Sequence, residues 1–351
     1  MVKAFYQSIH FEALRDRKIP RGPLGGNITF SGTDPAARDR VLDYFDVMSN
    51  ERVGILHGEY LLHQDGILLV DRKGVMTSAC ISLENYGLAQ FIAAQSTRPE
   101  IVAHIRDLLD NWDQLPVGDN LAVYCDHYRN NYFHFSLELV PRARYFVAHG
   151  CDTLLMTKAS LSRPFQLDLL KRALPGKTCM TLDRGMRVRD PILAHDSMSA
   201  EGIFWLRQAS RIFAAPGHRR IYIRRAARGT RTVPGGGISE SAGFEALLKD
   251  FGFETVDFGD GEHGVAAQVA MLEGAGLILA AHGAALTNLA YLNPKLTVIE
   301  IMGPYTTGAF FMHIAATLGF EYHGMFSSTY DDQMNIVVDL DELREALRAR
   351  V

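Results

Sequence analysis

Short apolar runs alternate with longer amphipathic stretches through the second part of the chain. Each apolar run has the length and composition of a buried strand, and the stretches between the runs have helical periodicity. Parallel strands need helical crossovers between them, so the alternation predicts α/β units with helices on both faces of parallel sheets. Strands are expected at 153–157, 178–182, 220–224, 254–258 and 276–281, and helices at 162–173, 199–214, 243–251 and 264–275.

The first part of the chain has a different pattern. Between residues 53 and 82, short apolar runs are separated by turn signals, and the Asp65-Gly66 step favours a hairpin. A small antiparallel β-hairpin region is therefore expected at 53–82. A further strand is predicted at 121–125, followed by a segment at 129–142 that is helical over its middle.

The pattern divides the chain into two α/β halves. The first half is placed at 1–190 and includes the hairpin region; the second is placed at 191–351, with its last helix free to pack back on the first half. At 351 residues the chain is long enough for two domains, because a single core seldom grows beyond about 250–300 residues.

One buried strand ends at His282 and turns directly into a predicted helix. Gly283, Ala284 and Ala285 leave this turn without bulky side chains, so a ligand could reach the backbone N–H groups that attract anions at a helix start. The next strand carries Glu300 near its end. A phosphate on a helix N-terminus and an acid for a ribose hydroxyl are how open α/β sheets usually bind a nucleotide. The alternative is that Gly283 serves only close packing.

The densest positive charge lies on the strand predicted at 220–224 and on the loop after it. Arg224 and Arg225 fall at the carboxyl end of that strand, and Arg231 lies in the loop. Guanidinium groups suit phosphate because they donate two parallel hydrogen bonds. The alternatives are a solvated surface patch and a nucleic-acid contact. The net charge of −4 and the lack of interleaved aromatic residues argue against nucleic acid.

A second cluster combines an imidazole with a carboxylate. His134 and Glu138 are four residues apart in a predicted helix, so their side chains share one face about one turn apart. Either group could take a proton from a hydroxyl nucleophile. The alternative is a buried histidine packed beside Phe133 and Phe135.

Composition narrows the possible classes. Hydrophobic residues make up 47% and charged residues 22% of the chain, which is typical of a soluble globular protein. The four cysteines form no Cys-x-x-Cys pair, and no apolar run approaches the ~20 residues of a membrane span. A reduced, cytoplasmic protein is therefore expected, with peripheral membrane association left open. Metal ligation is poorly supported, because the only Asp-x-Asp, at 339–341, is expected to cap the last helix.

Three segments together resemble glycosyltransferase family 61, including bacterial members linked to capsular polysaccharide synthesis. The segment 131–142 is similar to the family's Asn-Tyr-x-His-Trp-x-x-Asp/Glu-x-x-Pro-Arg motif, and 221–226 with Arg231 is similar to its basic strand-and-loop motif. The segment 282–288 with Val-Ile-Glu at 298–300 is similar to its most distinctive signature. The likeness covers roughly residues 120–305.

Two positions depart from the family pattern. The family usually follows its arginine with Arg-x-x-x-Asn-Glu, whereas Thr-Val-Pro-Gly-Gly-Gly follows Arg231 here. This departure argues against an acidic contact from that loop. Phe135 replaces the commoner tryptophan, which is a milder aromatic change.

The resemblance implies a GT-B fold, in which two Rossmann-like domains face a cleft and the second domain holds a nucleotide sugar. It implies an inverting hexosyl- or pentosyltransferase that uses a nucleotide-diphosphate sugar and needs no metal. The expected acceptor is a glycan or glycolipid, such as a surface polysaccharide or lipopolysaccharide precursor, at the inner face of a membrane. The donor sugar, the linkage and the oligomeric state stay open.

Each candidate residue then receives an expected role. Arg224, Arg225 and Arg231 would neutralise the diphosphate, and the helix start at 283–285 would add backbone donors. His282 would lie near the phosphates or the sugar, Asn288 would support the turn, and Glu300 would bind ribose hydroxyls. Glu138 would act as the base, with His134 as its rival.

Two other functional classes stay open. One is a degenerate family member that binds a nucleotide sugar or glycan without transferring it. The other is a nucleotide-sugar epimerase or dehydrogenase, but the chain lacks the Gly-x-Gly-x-x-Gly turn that such an enzyme would need.

Overall fold

The structure is a computed structural model that describes most of the chain. The described residues are 11–18, 28–32, 34, 36, 38–40, 50–64, 68–74, 76–78, 97–119, 121–124, 130–196, 198–225, 237–259, 262–304, 306 and 308–351. They divide into two compact units. Unit 1 comprises 1–19 and 49–209, and unit 2 comprises 20–48 and 210–351.

Strands and helices are numbered along the chain within the described residues. The strands are β1 (Phe11–Lys18), β2 (Ile28–Gly32), β3 (Asn50–Leu56), β4 (Glu59–Leu62), β5 (Leu68–Val70), β6 (Met76–Ser78), β7 (Val117–Asp119), β8 (Ala122–Val123), β9 (Thr153–Met156), β10 (Thr178–Thr181), β11 (Met186–Arg189), β12 (Ile192–Asp196), β13 (Arg219–Arg224), β14 (Phe253–Asp257), β15 (Ala275–Ala281), β16 (Thr297–Met302) and β17 (Glu321–Phe326). The α-helices are α1 (Pro99–Asp110), α2 (Ala143–Ala148), α3 (Pro164–Ala173), α4 (Ala200–Ser210), α5 (Ala242–Asp250), α6 (Val265–Met271), α7 (Phe310–Leu318) and α8 (Leu340–Arg348). A π-helical turn spans His134–Leu139, and 3-10 helices span Trp112–Gln114, Val140–Arg142, Lys158–Leu161 and Ala284–Tyr291.

Unit 1 contains two sheets. The larger has the order β1-β3-β12-β8-β9-β10, in which β12, β8, β9 and β10 run parallel and β1 and β3 are antiparallel additions. The smaller has the order β6-β5-β4-β11-β7. The antiparallel arrangement expected for 53–82 is found in β4, β5 and β6, whereas Val53 belongs to β3 of the larger sheet. The Asp65-Gly66 step lies outside the described residues.

Unit 2 is built on six parallel strands in the order β14-β13-β15-β16-β17-β2. Neighbouring residues Ile278 and Leu279 point to opposite faces of β15, and both are fully buried, so both faces of this sheet are covered. Helices α5 and α8 pack on the face that carries Leu279. The mixed α/β fold with parallel strands and intervening helices, predicted from the alternating pattern, is confirmed.

The order of strands in unit 2 reverses beside β13. The chain leaves β13 for β14 on one side and later returns to β15 on the other side. Such a reversal creates a crevice outside the carboxyl ends of the two strands, and open α/β sheets bind ligands at this point. The residues that follow β13 and β15 therefore occupy the position in the sheet where a ligand is expected.

The two units differ from the predicted halves in their boundaries. The main segment of unit 2 begins at the last residue of α4, and the unit also takes in residues 20–48, of which β2 pairs in parallel with β17. The last helix, α8, packs within unit 2, where Leu343 and Leu347 join the core that includes Phe244. Helix α8 is thus part of the core of unit 2.

A buried histidine joins β17 to β2. The ring of His323 lies 2.8 Å from Thr29 Oγ1 through Nδ1 and 3.0 Å from Ser31 Oγ through Nε2. Arg350 Nη2 lies 3.1 Å from the same Nδ1. Burial, followed by the charge of Arg350, lowers the pKa of His323 to about 4. The folded protein therefore holds this imidazole neutral.

This histidine should make unit 2 less stable in mild acid. A histidine in the unfolded chain has a pKa of about 6.5. Between this pH and about 4, the unfolded chain binds a proton at His323 that the folded chain does not bind. The contribution of the neutral His323 to the free energy of unfolding is fully present above pH 6.5. It is lost as the pH falls toward 4, and the loss is roughly 2 kcal/mol at pH 5. Urea unfolding at pH 7.5 and pH 5 measures the loss. His323→Asn should show a smaller loss than the unsubstituted protein, and an equal loss would contradict the assignment.

Candidate active site

Two strands bring the predicted arginines and the predicted turn together. Arg224 ends β13, and Arg225 follows it directly. The Nη1 of Arg225 donates a 2.8 Å hydrogen bond to the backbone carbonyl of His282, which follows β15. The predicted residues of these two segments therefore meet at the switch point of the sheet.

Gly283 is needed for the close approach of the Arg225 side chain. A Cβ atom at position 283 would lie 3.0 Å from Arg225 Nη1 and 3.3 Å from its Cζ. The φ of Gly283 is 167°, which is extended backbone that any residue can adopt, so space and not conformation requires the glycine. Close packing thus explains Gly283, and the group packed on it is itself a cation suited to phosphate.

The segment after this turn is a 3-10 helix, not the α-helix that a strand–turn–helix unit predicts. Ala284 and Ala285 begin it and are partly exposed, whereas residues 286–292 are buried. The buried amide of Asn288 donates to the Ala285 carbonyl at 3.0 Å and to Gln268 Oε1 at 3.1 Å. These two hydrogen bonds connect the start of the 3-10 helix to Gln268 on α6.

His282 is the first member of a hydrogen-bonded chain of three side chains. Its Nδ1 lies 2.5 Å from Glu300 Oε1, and the Tyr322 hydroxyl donates to Glu300 Oε2, also at 2.5 Å. Glu300 and Tyr322 are each 1% exposed, whereas 22% of the His282 side chain is exposed. Both carboxylate oxygens of Glu300 thus have partners inside the protein. The ribose contact expected of Glu300 would have to reach a carboxylate that is only 1% exposed.

Arg224 has a carboxylate partner that the sequence did not reveal. Its Nε donates to Glu240 Oε1 at 2.8 Å, and the Tyr222 hydroxyl donates to the same oxygen at 3.0 Å. The hydrogen bond that Arg224 donates to Glu240 raises the pKa of Arg224. An acidic contact is therefore present here, although Asn-Glu is missing directly after Arg231. Arg231 itself lies outside the described residues.

In unit 1, His134 and Glu138 contact each other within the π-helical turn. His134 Nδ1 lies 2.7 Å from Glu138 Oε2, with 17% of the histidine side chain and 8% of the glutamate side chain exposed. The ring of Phe133 packs edge-on against His134, with centroids 4.9 Å apart. His134 therefore contacts the Glu138 carboxylate and also packs beside an aromatic ring.

Two findings concern ligands and membranes. In the described ranges, no group of three or more His, Cys, Asp or Glu side chains could hold a metal ion. Asp339 caps α8 as predicted, because its Oδ1 accepts from the backbone N–H groups of Asp341 and Glu342. No helix in the part of the chain that the structure describes is long and apolar enough to cross a membrane.

A family model described as Glycosyltransferase 61 matches residues 132–299. Residues 132–299 belong to the glycosyltransferase 61 family. The resemblance seen in the sequence is thus confirmed, and membership implies glycosyltransferase activity. The matched segment holds His134, Glu138, Arg224 and Arg225, and it ends one residue before Glu300. A search of curated proteins found no match.

The residues that sequence reasoning missed depend on strand register. Tyr322 reaches Glu300 because β17 runs parallel to β16 and pairs Glu300 with Gly324, two residues beyond the tyrosine. Glu240 contacts Arg224 although the two are 16 residues apart in the sequence. In the sequence, Glu240 is a single acidic residue shortly before α5, and no pattern links it to β13.

The turn should depend strongly on Asn288. Asn288→Ala removes one buried and one partly buried hydrogen bond and leaves Gln268 and the Ala285 carbonyl without this donor, at a cost of about 2–4 kcal/mol. Asn293→Ala is the matched control, because this partly exposed amide only accepts from Lys295 N and should cost under about 1 kcal/mol. Urea unfolding compares the two, and equal costs would refute the supporting role.

Proposed function

We propose that the protein is an inverting glycosyltransferase that moves a sugar from a nucleotide-diphosphate sugar to a hydroxyl group of a surface polysaccharide or lipopolysaccharide precursor. The observation that carries this proposal is the convergence of Arg224, Arg225 and the His282 turn at the switch point of a parallel sheet. This convergence lies within the segment that belongs to family 61. The GT-B arrangement of two Rossmann-like domains facing a cleft is part of the proposal.

The donor diphosphate binds to unit 2 in this proposal. Arg224 and Arg225 extend from the carboxyl end of β13, and the partly exposed residues 282–285 follow β15. As the sugar leaves, the diphosphate gains negative charge, and cations already in place stabilise that charge as it develops. Arginine can supply this positive charge without a metal ion. Arg231 is assigned to the same group from its place in the family motif.

His134 is the proposed base, and Glu138 is the residue that orients it. The sequence favoured Glu138 as base, but its side chain is the more buried of the two and accepts a hydrogen bond from His134 Nδ1. The proton of the acceptor hydroxyl passes to the other ring nitrogen of His134. The hydroxyl oxygen bonds to the anomeric carbon, and the bond from that carbon to the diphosphate oxygen breaks with its electron pair on the diphosphate. Attack from the opposite side inverts the anomeric centre.

The setting of the reaction is also proposed from the family. The donor is a nucleotide sugar, the acceptor is a glycan or glycolipid, and the enzyme works in the bacterial cytoplasm in the synthesis of capsule or lipopolysaccharide. Peripheral association with the inner face of the membrane would give access to a lipid-linked acceptor.

One observation favours a second candidate function. Arg224 Nε already donates to Glu240, so a diphosphate would either share this guanidinium with the carboxylate through the remaining N–H groups or displace it. A protein that binds nucleotide sugars or glycans without transferring them could tolerate this competition. Release of nucleotide diphosphate that depends on an added acceptor would support transfer, and binding without release would support the second candidate.

Arg224→Ala should weaken donor binding. A thermal-shift screen of nucleotide sugars first identifies a donor, and calorimetry then measures its affinity, which should fall about 10–100-fold. Arg219→Ala is the matched control: Arg219 begins the same strand and bonds Glu254 at 2.7 Å, just as Arg224 ends it and bonds Glu240. The control should bind normally. Normal affinity in Arg224→Ala would remove the phosphate role.

The proposed base should be required for turnover and not for donor binding. His134→Gln should lower turnover by about 10²–10⁴-fold, and Glu138→Gln should lower it less, because the imidazole remains. Acceptor-dependent release of nucleotide diphosphate measures turnover, and calorimetry should give unchanged donor affinity. Asp168→Asn, which breaks another i,i+4 pair in unit 1, should keep full turnover. A larger loss in Glu138→Gln than in His134→Gln would return the base to Glu138.

A further inference from the structure

Glu240 binds the side chains of two residues on β13 through one oxygen atom. The Tyr222 hydroxyl donates to Glu240 Oε1 at 3.0 Å, and Arg224 Nε donates to the same oxygen at 2.8 Å. Tyr222 and Arg224 are two residues apart on one strand, so their side chains point to the same face of the sheet. The carboxylate therefore ties the guanidinium group at the carboxyl end of β13 to a buried tyrosine farther inside the strand.

The backbone on both sides of Glu240 is fixed. Before it, two backbone hydrogen bonds of 2.9 Å join the segment 237–239 to Ile336. Ile238 and Ile336 are 3% and 2% exposed and belong to the same core cluster. After it, Ser241 is the N-cap of α5, and its side chain accepts a backbone hydrogen bond from the first turn of that helix. The carboxylate is thus carried by a segment that is anchored to the core of unit 2.

The contact with Glu240 uses only the inner nitrogen of the Arg224 guanidinium group. Within the described residues, Nε makes the one hydrogen bond of this side chain, and 42% of the side chain is exposed. The group is planar and its N–H donors have a fixed arrangement, so a bond at Nε also sets the direction of the others. The donors on Nη1 and Nη2 remain, and together they can bind two oxygens of one phosphate.

We propose that Glu240 is a positioning residue, which holds Arg224 so that its Nη1 and Nη2 groups face the diphosphate of the donor. Arg224 contacts the ligand, and Glu240 acts through it. The diphosphate shares the guanidinium group with Glu240 and does not displace the carboxylate. The identity of the ligand rests on the proposed function, whereas the orientation of Arg224 by Glu240 does not. No covalent bond changes in this step and no proton is transferred.

A guanidinium group that is already fixed binds an anion more tightly than a mobile one. An arginine side chain loses rotamer freedom when a ligand immobilises it, and this loss weakens binding unless the protein has immobilised the side chain beforehand. The charge of Glu240 has the opposite effect, since a carboxylate beside the site repels an anion. The effect of position therefore has to be separated from the effect of charge.

Two substitutions of Glu240 make this separation. Glu240→Gln and Glu240→Ala both remove the charge, but only Glu240→Gln keeps an oxygen that can accept from Arg224 Nε. Calorimetry with inorganic pyrophosphate should give an affinity about 3–10-fold higher for Glu240→Gln than for Glu240→Ala, which is the gain expected when one side chain is immobilised in advance. If the diphosphate instead displaces Glu240, both variants gain affinity equally. Equal affinities of the two variants overturn the positioning role.

Glu254→Gln and Glu254→Ala form the matched control pair. Glu254 accepts from Arg219 at 2.7 Å, and Arg219 begins the strand that Arg224 ends. These variants change the same kind of ion pair at the other end of β13, where no phosphate contact is proposed. The two should bind pyrophosphate equally. A difference as large as that between the Glu240 variants would trace the effect to the stability of β13 and would also overturn the role.

The orientation of Arg224 can be measured without a ligand. The measurement is ¹⁵N NMR relaxation of arginine Nε–H groups in the full chain, with Arg224→Lys identifying the resonance. The order parameter should be near the rigid-backbone value of about 0.85 in the unsubstituted protein and in Glu240→Gln. It should fall below about 0.6, a value typical of flexible groups, in Glu240→Ala. An order parameter that is the same in both Glu240 variants overturns the proposal.

The two measurements separate this proposal from the proposed function. If pyrophosphate does not bind the unsubstituted protein, the diphosphate site of the proposed function fails, and NMR relaxation still decides whether Glu240 fixes Arg224. If pyrophosphate binds but its affinity is the same in both Glu240 variants, the positioning role fails and the diphosphate site stands.

Discussion

The parallel pairing of β13 with β15 is the interaction on which the candidate site depends. Its register places Ile223 beside Ala280, so the two strands leave the sheet side by side and their next residues meet. The hydrogen bond from Arg225 to the His282 carbonyl joins the residues that directly follow the two strands. Gly283 has no side chain, and this leaves room for the guanidinium group. The neighbouring pairing of β15 with β16 matters in the same way: because side chains alternate between faces along a strand, a slip of one residue between these two strands would send Glu300 to the opposite face and leave His282 without its carboxylate.

Each unit contains a histidine whose Nδ1 contacts a buried glutamate, and the two pairs are built in different ways. In unit 1 the partners are four residues apart on one helical turn, so local geometry alone joins them. In unit 2 they come from different strands, and only the pairing of β15 with β16 brings them together. In both pairs the carboxylate is the more buried partner. This arrangement fixes the orientation of an imidazole and leaves its second nitrogen for other contacts.

The sequence predicted much of the fold, because the helices and strands after residue 150 are long and periodic enough to show their type. It predicted the local features of the site for the same reason: Arg224 and Arg225 end a strand, and His134 and Glu138 share a helical face. It could not predict features that depend on register or on distant segments. The contacts of Tyr322 and Glu240, the entry of β2 into the second sheet and the 3-10 form of 284–291 all belong to this class. The segment 284–291 forms a 3-10 helix in which residues 286–291 are buried and the Asn288 side chain bonds Gln268 and the Ala285 carbonyl.

The edge strand of unit 2 has a consequence for how this protein can be divided. β2 comes from residues 28–32, far ahead of the rest of the unit in sequence, and its backbone covers the edge of β17. A fragment that starts at residue 210 would lack this strand and would expose a row of unpaired backbone N–H and C=O groups along β17. Open edges of this kind recruit other chains and promote aggregation. Pairing of β2 with β17 also requires closure of a long stretch of chain, which slows folding, so the sheet of unit 2 is expected to be completed late and only when the N-terminal segment is present.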